Sequence, residues 1–263
     1  MTTRQSLHEE WTVVTGASDG IGRALAVRLA AQSRNLVLIG RSAAKLDALS
    51  AELHGFGGER RFLALDLAEP EAIDAIDAAT RDLDVAMLIQ AAGYGSAGRF
   101  DQLDPSTEAS MVDVNCRAVV ALCAMFAPRL VARGGGALVL FSSILGFQGA
   151  GGSATYAATK GFVQSFAEGL RRDLLGTGVS VLAVAPGPTA SGFAAAAGMS
   201  FSAMATADSV ADAIVPNLRK NKNLAPGLAA SVMRSGLATA PRSLRVRIIT
   251  PVMRSFASKE HTQ

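Results

Sequence analysis

Cysteine and histidine are scarce in this chain: of 263 residues only two are cysteine and three are histidine. Cys116 and Cys123 are too few and too wrongly spaced for a zinc site or a disulfide framework, and seven residues apart on a helix they read as small core residues of one face. None of His8, His54 and His261 falls near a plausible site, so no metal centre is expected. The N-terminal MTTRQSLHEEW lacks the apolar core of a signal peptide, and no stretch offers the about eighteen uninterrupted apolar residues of a membrane span. These absences point to a reducing, cytoplasmic setting.

Charge of one sign is also lacking overall. The net charge of +3 gives little reason to expect a nucleic-acid partner. It is unevenly spread: from Asn217 to Gln263 nine of the 25 Lys/Arg face one of the 22 acids, Glu260, which leaves the first 216 residues at −5. What is present is ample apolar material. With 49% hydrophobic residues, 18% charged residues and 26 glycines, the composition excludes a disordered or collagen-like chain and allows a large core.

Short apolar runs alternate with helix-period segments from the start, the rhythm of parallel strands joined by crossover helices. The expected strands are Thr12–Thr15, Leu36–Ile39, Arg61–Leu65, Val85–Gln90, Ala137–Phe141 and Val179–Ala185, with a short seventh near Asn223–Ala225. Helices are expected at Ile21–Gln32, Ala43–Leu53, Pro70–Arg81, Pro105–Arg133, Ala154–Leu175 and Ala207–Arg219, with Pro70 and Pro105 in first turns. The fold class is α/β: a doubly wound, seven-stranded parallel sheet of the Rossmann type in three layers. No linker or repeat interrupts the rhythm before about Met199, so residues 1–263 read as one domain, with a basic C-terminal extension from about 224 to 263.

The first strand runs into Gly16, Ser18, Asp19, Gly20, Ile21 and Gly22 and then directly into a helix. Glycines there allow a tight turn, let backbone approach a pyrophosphate, and seat a helix N-terminus against the anion. About 20 positions further on, an acidic residue would bind the ribose 2′-hydroxyl of NAD; Gly40 and Arg41 stand there instead. A guanidinium beside the ribose would welcome a 2′-phosphate, so NADP(H) is favoured over NAD(H).

Ser143 ends the fifth strand, and Tyr156 and Lys160 follow on the next helix, four residues and about 6 Å apart along one face. A phenol near pKa 10 is a poor acid/base at neutral pH, and a neighbouring ammonium and a cationic nicotinamide would both lower it. Tyr156 then exchanges a proton with a substrate oxygen that Ser143 holds. An isolated Tyr/Lys pair at this spacing is more often a solvated helix face; its coincidence with the cradle upstream overturns that reading.

In order along Trp11 to Phe193, the TGxxxGxG, SS, YxxxK and PG landmarks resemble the short-chain dehydrogenase/reductase family. The resemblance implies Tyr156 as acid/base, Lys160 as its modulator and binder of the nicotinamide ribose, and Ser143 as carbonyl orienter. It implies Asn115 as a proton-relay support through water, Asp66 and Leu67 beside the adenine, and Gly93 beside the cofactor. Pro186, Gly187 and Thr189 would hold the carboxamide and pyrophosphate. One departure is Gln90-Ala91-Ala92-Gly93 in place of the family's Asn-Asn-Ala-Gly, which leaves the usual asparagine contacts without their donor. The usual assembly of the family implies a homodimer or homotetramer through the long helix at 105 and the Tyr156 helix.

The expected reaction is hydride transfer between NADP(H) and the carbonyl or alcohol of a small molecule, in the reductive sense because the NADPH pool is kept reduced. Substrate contacts are expected from Ser143, Tyr94, Phe147 and Phe193, and Met199 and Phe201 add to an apolar lining. A catalytically idle NADPH-binding sensor or scaffold is the alternative, against which the retention of Ser143, Tyr156 and Lys160 counts. An extended-family epimerase would need a larger C-terminal domain than the about 75 residues after Pro188. The stretch Arg242 to Phe256 mixes arginines with apolar residues; because Pro251 interrupts a helix there, a solvated extension or subunit contact is a stronger reading than a membrane face.

Overall fold

Runs of valine, leucine and isoleucine with no polar face form strands that must be covered on both sides. In the computed structural model, which describes residues 10–190, 205–227, 231 and 240–256, they become β1 (Trp11–Thr15), β2 (Asn35–Gly40), β3 (Arg60–Ala64), β4 (Val85–Gln90), β5 (Gly136–Phe141), β6 (Val179–Val184) and β9 (Lys222–Leu224). They make one seven-stranded sheet, in the order β3-β2-β1-β4-β5-β6-β9, with every pairing parallel. Between β6 and β9, β7 (Thr189–Ala190) and β8 (Ala205–Thr206) pair as a separate small sheet, which the sequence reading lacks.

Helices cover both faces. On one side α3 (Glu71–Thr80), α5 (Ala118–Ala132) and α6 (Ala154–Asp173) pack Ile76, Phe126 and Val163 on Val13, Leu88 and Leu138. On the other, α1 (Gly20–Ala30), α2 (Ala43–Leu53) and a helix at Ala207–Ile214, α7, pack Leu25, Leu49 and Ile214 on Leu38, Ile89 and Val139. The three-layer α/β expectation therefore holds. The chain winds outward from β1 to β3, then returns to β4 on the other side of β1, so the crevice for a ligand lies above the carboxyl ends of β1 and β4.

Three expectations about helices need correction. Pro70 precedes α3 as its cap, and the helix begins at Glu71. The single helix expected over 105–133 is α4 (Pro105–Val112), a π-turn at Asp113–Arg117, and then α5. The run 105–132 is long and apolar enough by length and composition to cross a membrane, contrary to the sequence expectation; here Leu122, Phe126 and Leu130 on it are fully buried against the sheet.

The third correction concerns Pro251. Residues Arg242–Phe256 form one helix, α8, with Pro251 inside it. A proline removes one backbone hydrogen bond and crowds the preceding turn. Tertiary packing offsets this: Ile249 and Met253 are buried with Met111, Leu145, Ala150, Tyr156 and Ala157, while Pro251 stays exposed. The Gly151 N–H also donates to Thr250 Oγ1 at 3.1 Å. This part of the basic extension is thus docked over the carboxyl end of the sheet.

Candidate active site

The loop after β1 is tight for steric reasons. Gly16 has φ +67°, and a Cβ there would lie 2.7 Å from the backbone nitrogen of Ala92, while one at Gly22 would lie 2.2 Å from the Gly16 oxygen. Only glycine lets the loop lie this close to the β4 end and to the first turn of α1. Asp19 caps α1, its Oδ1 accepting from Gly20 N at 2.7 Å, and Lys45 donates to its other oxygen at 2.5 Å. The cap carboxylate is thereby neutralised where an incoming phosphate would otherwise meet it. Ile21 packs partly into the core below.

Ser18 reaches β2, and a Cβ on Gly40 would stand 2.6 Å from its Oγ. Arg41 extends beyond, 78% exposed at its side chain and 3.9 Å from Asp66. Ser42 begins α2 by accepting from Lys45 N at 3.3 Å, and from this first turn the Lys45 side chain reaches Asp19. A cavity of about 420 Å³ opens beside this loop, lined by Ser18, Asp19, Arg23, Lys45, Ala190 and Asp208 among others. Asp66 Oδ1 accepts from Ala68 N at 2.9 Å, and the oxygen of the buried Leu67 accepts from Arg117 at 3.0 Å. The glycine cradle and the helix N-terminus together fit the pyrophosphate of a dinucleotide.

The second cluster stands at the ends of β4 and β5. Ser143, after β5, is buried, its Oγ accepts from Leu145 N at 3.2 Å, and its side chain faces the Tyr156 hydroxyl closely enough to favour the phenolate. Ser142 Oγ donates to Lys160 O at 3.0 Å, and at Gly146 a Cβ would meet that same oxygen at 2.6 Å, so this glycine lets the turn after Ser143 lie against α6. Lys160 Nζ lies 5.7 Å from the centre of the Tyr156 ring and donates to Phe141 O at 2.9 Å.

Asn115 sits in the π-turn, fully buried. Its Nδ2 donates to Tyr94 O at 2.9 Å and Thr159 Oγ1 at 3.1 Å, and its Oδ1 accepts from Tyr94 N at 3.2 Å. A π-turn adds a residue to the helical repeat and turns one side chain out of the regular register. At Gly93 a Cβ would stand 2.9 Å from Asn115 Oδ1 and 3.2 Å from Lys160 Nζ, so this glycine joins the two polar groups at the crevice floor.

Electrostatics here differ from the sequence expectation. The Tyr156 hydroxyl is pushed up to about 12 by burial, with the Ser143 hydrogen bond pulling the other way. Burial also brings the Lys160 ammonium down to about 8, Cys116 opposing weakly. The lowering expected of the ammonium is absent because Lys160 lies over the ring, and desolvation by Met111, Leu145 and Ala157 outweighs it. At neutral pH Tyr156 is thus a phenol that holds its proton, and Lys160, although lowered, is still mostly an ammonium.

Of the expected substrate residues, Tyr94 packs against the apolar cluster around Tyr156, and its hydroxyl donates to Thr107 O at 3.0 Å. Phe147 is half-buried in the turn Ile144–Phe147 and is not part of that cluster. Phe193, Met199 and Phe201 lie outside the described residues. In the loop after β6, Pro186 O accepts from Ile144 N at 3.2 Å, and Thr189 Oγ1 donates to Gly187 O at 3.0 Å, which ties this loop to the turn after Ser143. Gln90 supplies a contact for the missing asparagine: its buried amide donates to Val119 O at 3.1 Å and Cys123 Sγ at 3.2 Å, pinning α5 to β4.

Sequence reasoning missed Lys45 and the inner face of α8. Lys45 had a readable signal, a cation three residues after the Ser42 cap. Glycines 149, 151 and 152 hinted at α8, since added Cβ atoms there would meet Val246 at 3.7 Å, Thr250 at 2.7 Å and Arg254 at 3.3 Å.

Comparison with known proteins agrees with this architecture. A sulfoacetaldehyde reductase of Chromohalobacter salexigens is 39% identical over 178 residues, 66% of this chain and 70% of the relative. A 7beta-hydroxysteroid dehydrogenase of Clostridium sardiniense is 30% identical over 181 residues, 68% and 69% of the two chains. Among solved structures, a short-chain dehydrogenase from Sphingobium yanoikuyae in complex with NADPH superposes with a TM-score of 0.81 at 32% identity, over 89% of this chain and 94% of that one. The short chain dehydrogenase profile itself matches residues 10–199, spanning both the phosphate cradle and the Tyr156 cluster. This chain belongs to the short-chain dehydrogenase/reductase family.

Proposed function

We propose that this oxidoreductase reduces the carbonyl of a small apolar substrate at the expense of NADPH, with Tyr156 as proton donor. The observation that carries the reading is the gathering of Ser143, Tyr156 and Lys160 at one buried spot, with Asn115 joined to Lys160 across Gly93, at the foot of a dinucleotide cradle. NADPH, when bound, supplies the hydride. Gly16 to Gly22 and the α1 N-terminus would hold its pyrophosphate, Asp66 and Leu67 would flank the adenine, Lys160 would take the ribose hydroxyls, and Pro186, Gly187 and Thr189 would line the nicotinamide end.

Ser143 aims the substrate oxygen, and Tyr156 gives up its proton as charge develops there. A phenol held near 12 is a competent donor to an alkoxide, which is the stronger base. Lys160 and Asn115, joined through Gly93, stand where the proton on Tyr156 would be replenished.

NADP(H) preference rests on Arg41 with Lys45, two cations flanking the adenosine ribose and no acid at the end of β2. Binding of a 2′-phosphate would draw Arg41 from its 3.9 Å contact with Asp66, while Lys45 stays on Asp19. A relative's complex with NADPH fits the same choice. Apolar substrate preference rests on Met111, Leu145, Ala150, Ile249 and Met253 around Tyr156, and on the absence of Lys and Arg from 145–152. In this respect the steroid named for one relative is a better guide than the anionic aldehyde named for the other.

Exposed Val112, Val120 and Phe162, with Phe162 stacked 6.0 Å from Phe166, support a homo-oligomer through α4, α5 and α6. The two free thiols suit a cytoplasmic protein.

A screen of apolar ketones and aldehydes against NADPH and NADH tests the reading. Activity with NADPH should exceed that with NADH, and Arg41→Gln with Lys45→Gln should narrow the ratio by raising the NADPH KM. Equal use of NADH by the wild type would overturn the cofactor assignment.

A further inference from the structure

The outer face of α8 has a composition that the inner, site-covering face does not require. Leu244, Ile248 and Val252 recur every fourth residue, form one stripe along the helix, and are 46%, 48% and 38% exposed. At about 100° per residue, Arg245 and Arg247 flank the stripe on its two sides, while Arg242 and Arg254 stand farther round near the two ends of the helix; Arg242, Arg247 and Arg254 are all exposed and none is in an ion pair among the described residues. Many described arginines of the body, such as Arg28, Arg61, Arg117 and Arg133, are by contrast paired with carboxylates. No Asp or Glu occurs between Asp212 and Glu260, so the basic character of α8 is unopposed along 47 residues of chain.

An apolar stripe rimmed by arginines is the arrangement that lies flat in the headgroup layer of a bilayer. The aliphatic side chains enter the acyl boundary, while the long arginine stems keep their guanidinium groups among the phosphates. At 15 residues α8 is about 22 Å long, enough for three stripe residues to insert together. A protein partner would need an acidic groove of the same length, whereas an anionic lipid surface supplies both chemistries without a matching shape.

We infer that α8 docks this enzyme on anionic bilayer surfaces through Leu244, Ile248 and Val252, with Arg242, Arg247 and Arg254 on lipid phosphates. The same helix walls the Tyr156 site through Ile249 and Met253, so docking sets that site against lipid. This goes beyond the catalytic reading and does not depend on it.

The test is co-sedimentation of the full chain with vesicles of phosphatidylglycerol and phosphatidylcholine in equal parts, against phosphatidylcholine alone. Partition should favour the anionic vesicles and fall steeply between about 0.1 and 1 M salt, as the screening length drops from about 10 to about 3 Å. Leu244→Ser with Ile248→Ser should lose at least about tenfold in partition. Arg242→Gln with Arg247→Gln should lose about 30-fold, two cations at about 1 kcal/mol each. Both double variants alter exposed positions, and each should keep the wild-type melting temperature and NADPH affinity. Equal partition to both vesicle types, or none to either, overturns the inference. So does unchanged vesicle binding in the Leu244/Ile248 variant together with a halved mass by light scattering, which would mean that a second copy of the chain covers the stripe.

Discussion

Replacing Gly93 with alanine puts a methyl group between two side chains of the site. The new Cβ would stand 2.9 Å from Asn115 Oδ1 and 3.2 Å from Lys160 Nζ. The ammonium ends a flexible chain and can retreat by a few tenths of an ångström. Asn115 cannot retreat, because it is fully buried and three hydrogen bonds fix its amide to Tyr94 and Thr159. The strain must be relieved by the backbone at 93–94 or by loss of one of those bonds. Overpacking of this kind costs about 1–3 kcal/mol, which for a chain of this size is about 2–12 °C in melting temperature. Catalysis should fall further, since a displacement of about 1 Å in a positioned group costs on the order of 100-fold. Thermal unfolding and steady-state turnover of Gly93→Ala measure the two effects. A second background isolates the cause: Asn115→Ala removes the atom that the methyl strikes, so Gly93→Ala should cost less there than in the wild type. Strictly additive losses in the double variant, or a Gly93→Ala enzyme with native melting temperature and turnover, would refute the reasoning.

The remaining expectations concern pH and the α8 wall. With Lys160 at about 8, against 10.5 for a free lysine, the folded chain binds fewer protons than the unfolded chain between those values. Stability should therefore rise with pH across that window, and in Lys160→Met this rise should vanish from the urea midpoints. Tyr156 works in the opposite sense above pH 10, where the folded state keeps a phenol proton up to about 12 that the unfolded chain releases, so Tyr156→Phe should lessen the alkaline loss of stability. Gly151→Ala brings a Cβ to 2.7 Å from Thr250 Cγ2 and should push α8 off the site, raising KM for a bulky apolar ketone while the NADPH Kd stays put; a change confined to the NADPH Kd would contradict the assignment of α8 as a substrate wall.

Much of this was legible in the sequence. Strands buried on both faces leave uninterrupted apolar runs, so β1, β2 and β4 to β6 stand within a residue or two of their expected ends. The cradle glycines were legible because close backbone approach tolerates few residue types, and the spacing of Ser143, Tyr156 and Lys160 marked residues that the fold gathers at the end of β5. The π-turn was not, since one residue added to the repeat leaves no mark on a 3.6-residue periodicity, and DVNCR reads as ordinary helix. Lys45 looks like a solvated helix charge until folding brings Asp19 beside it. Pro251 reads as a breaker by local propensity, which the burial of Ile249 and Met253 overrides. The direction of the Tyr156 shift was hidden for the same reason: the groups that desolvate it come from α4, the turn after β5 and α8, far apart in the chain.

The central claim is that Tyr156 delivers the proton during hydride transfer. Single-turnover oxidation of bound NADPH by an apolar ketone, compared between wild type and Tyr156→Phe, tests it most directly. The account predicts a loss of about 100- to 10,000-fold in the variant, with NADPH binding unchanged by fluorescence titration. A Tyr156→Phe enzyme as fast as the wild type would contradict it, as would a wild type that binds NADPH yet is as inert as the variant with every ketone tried.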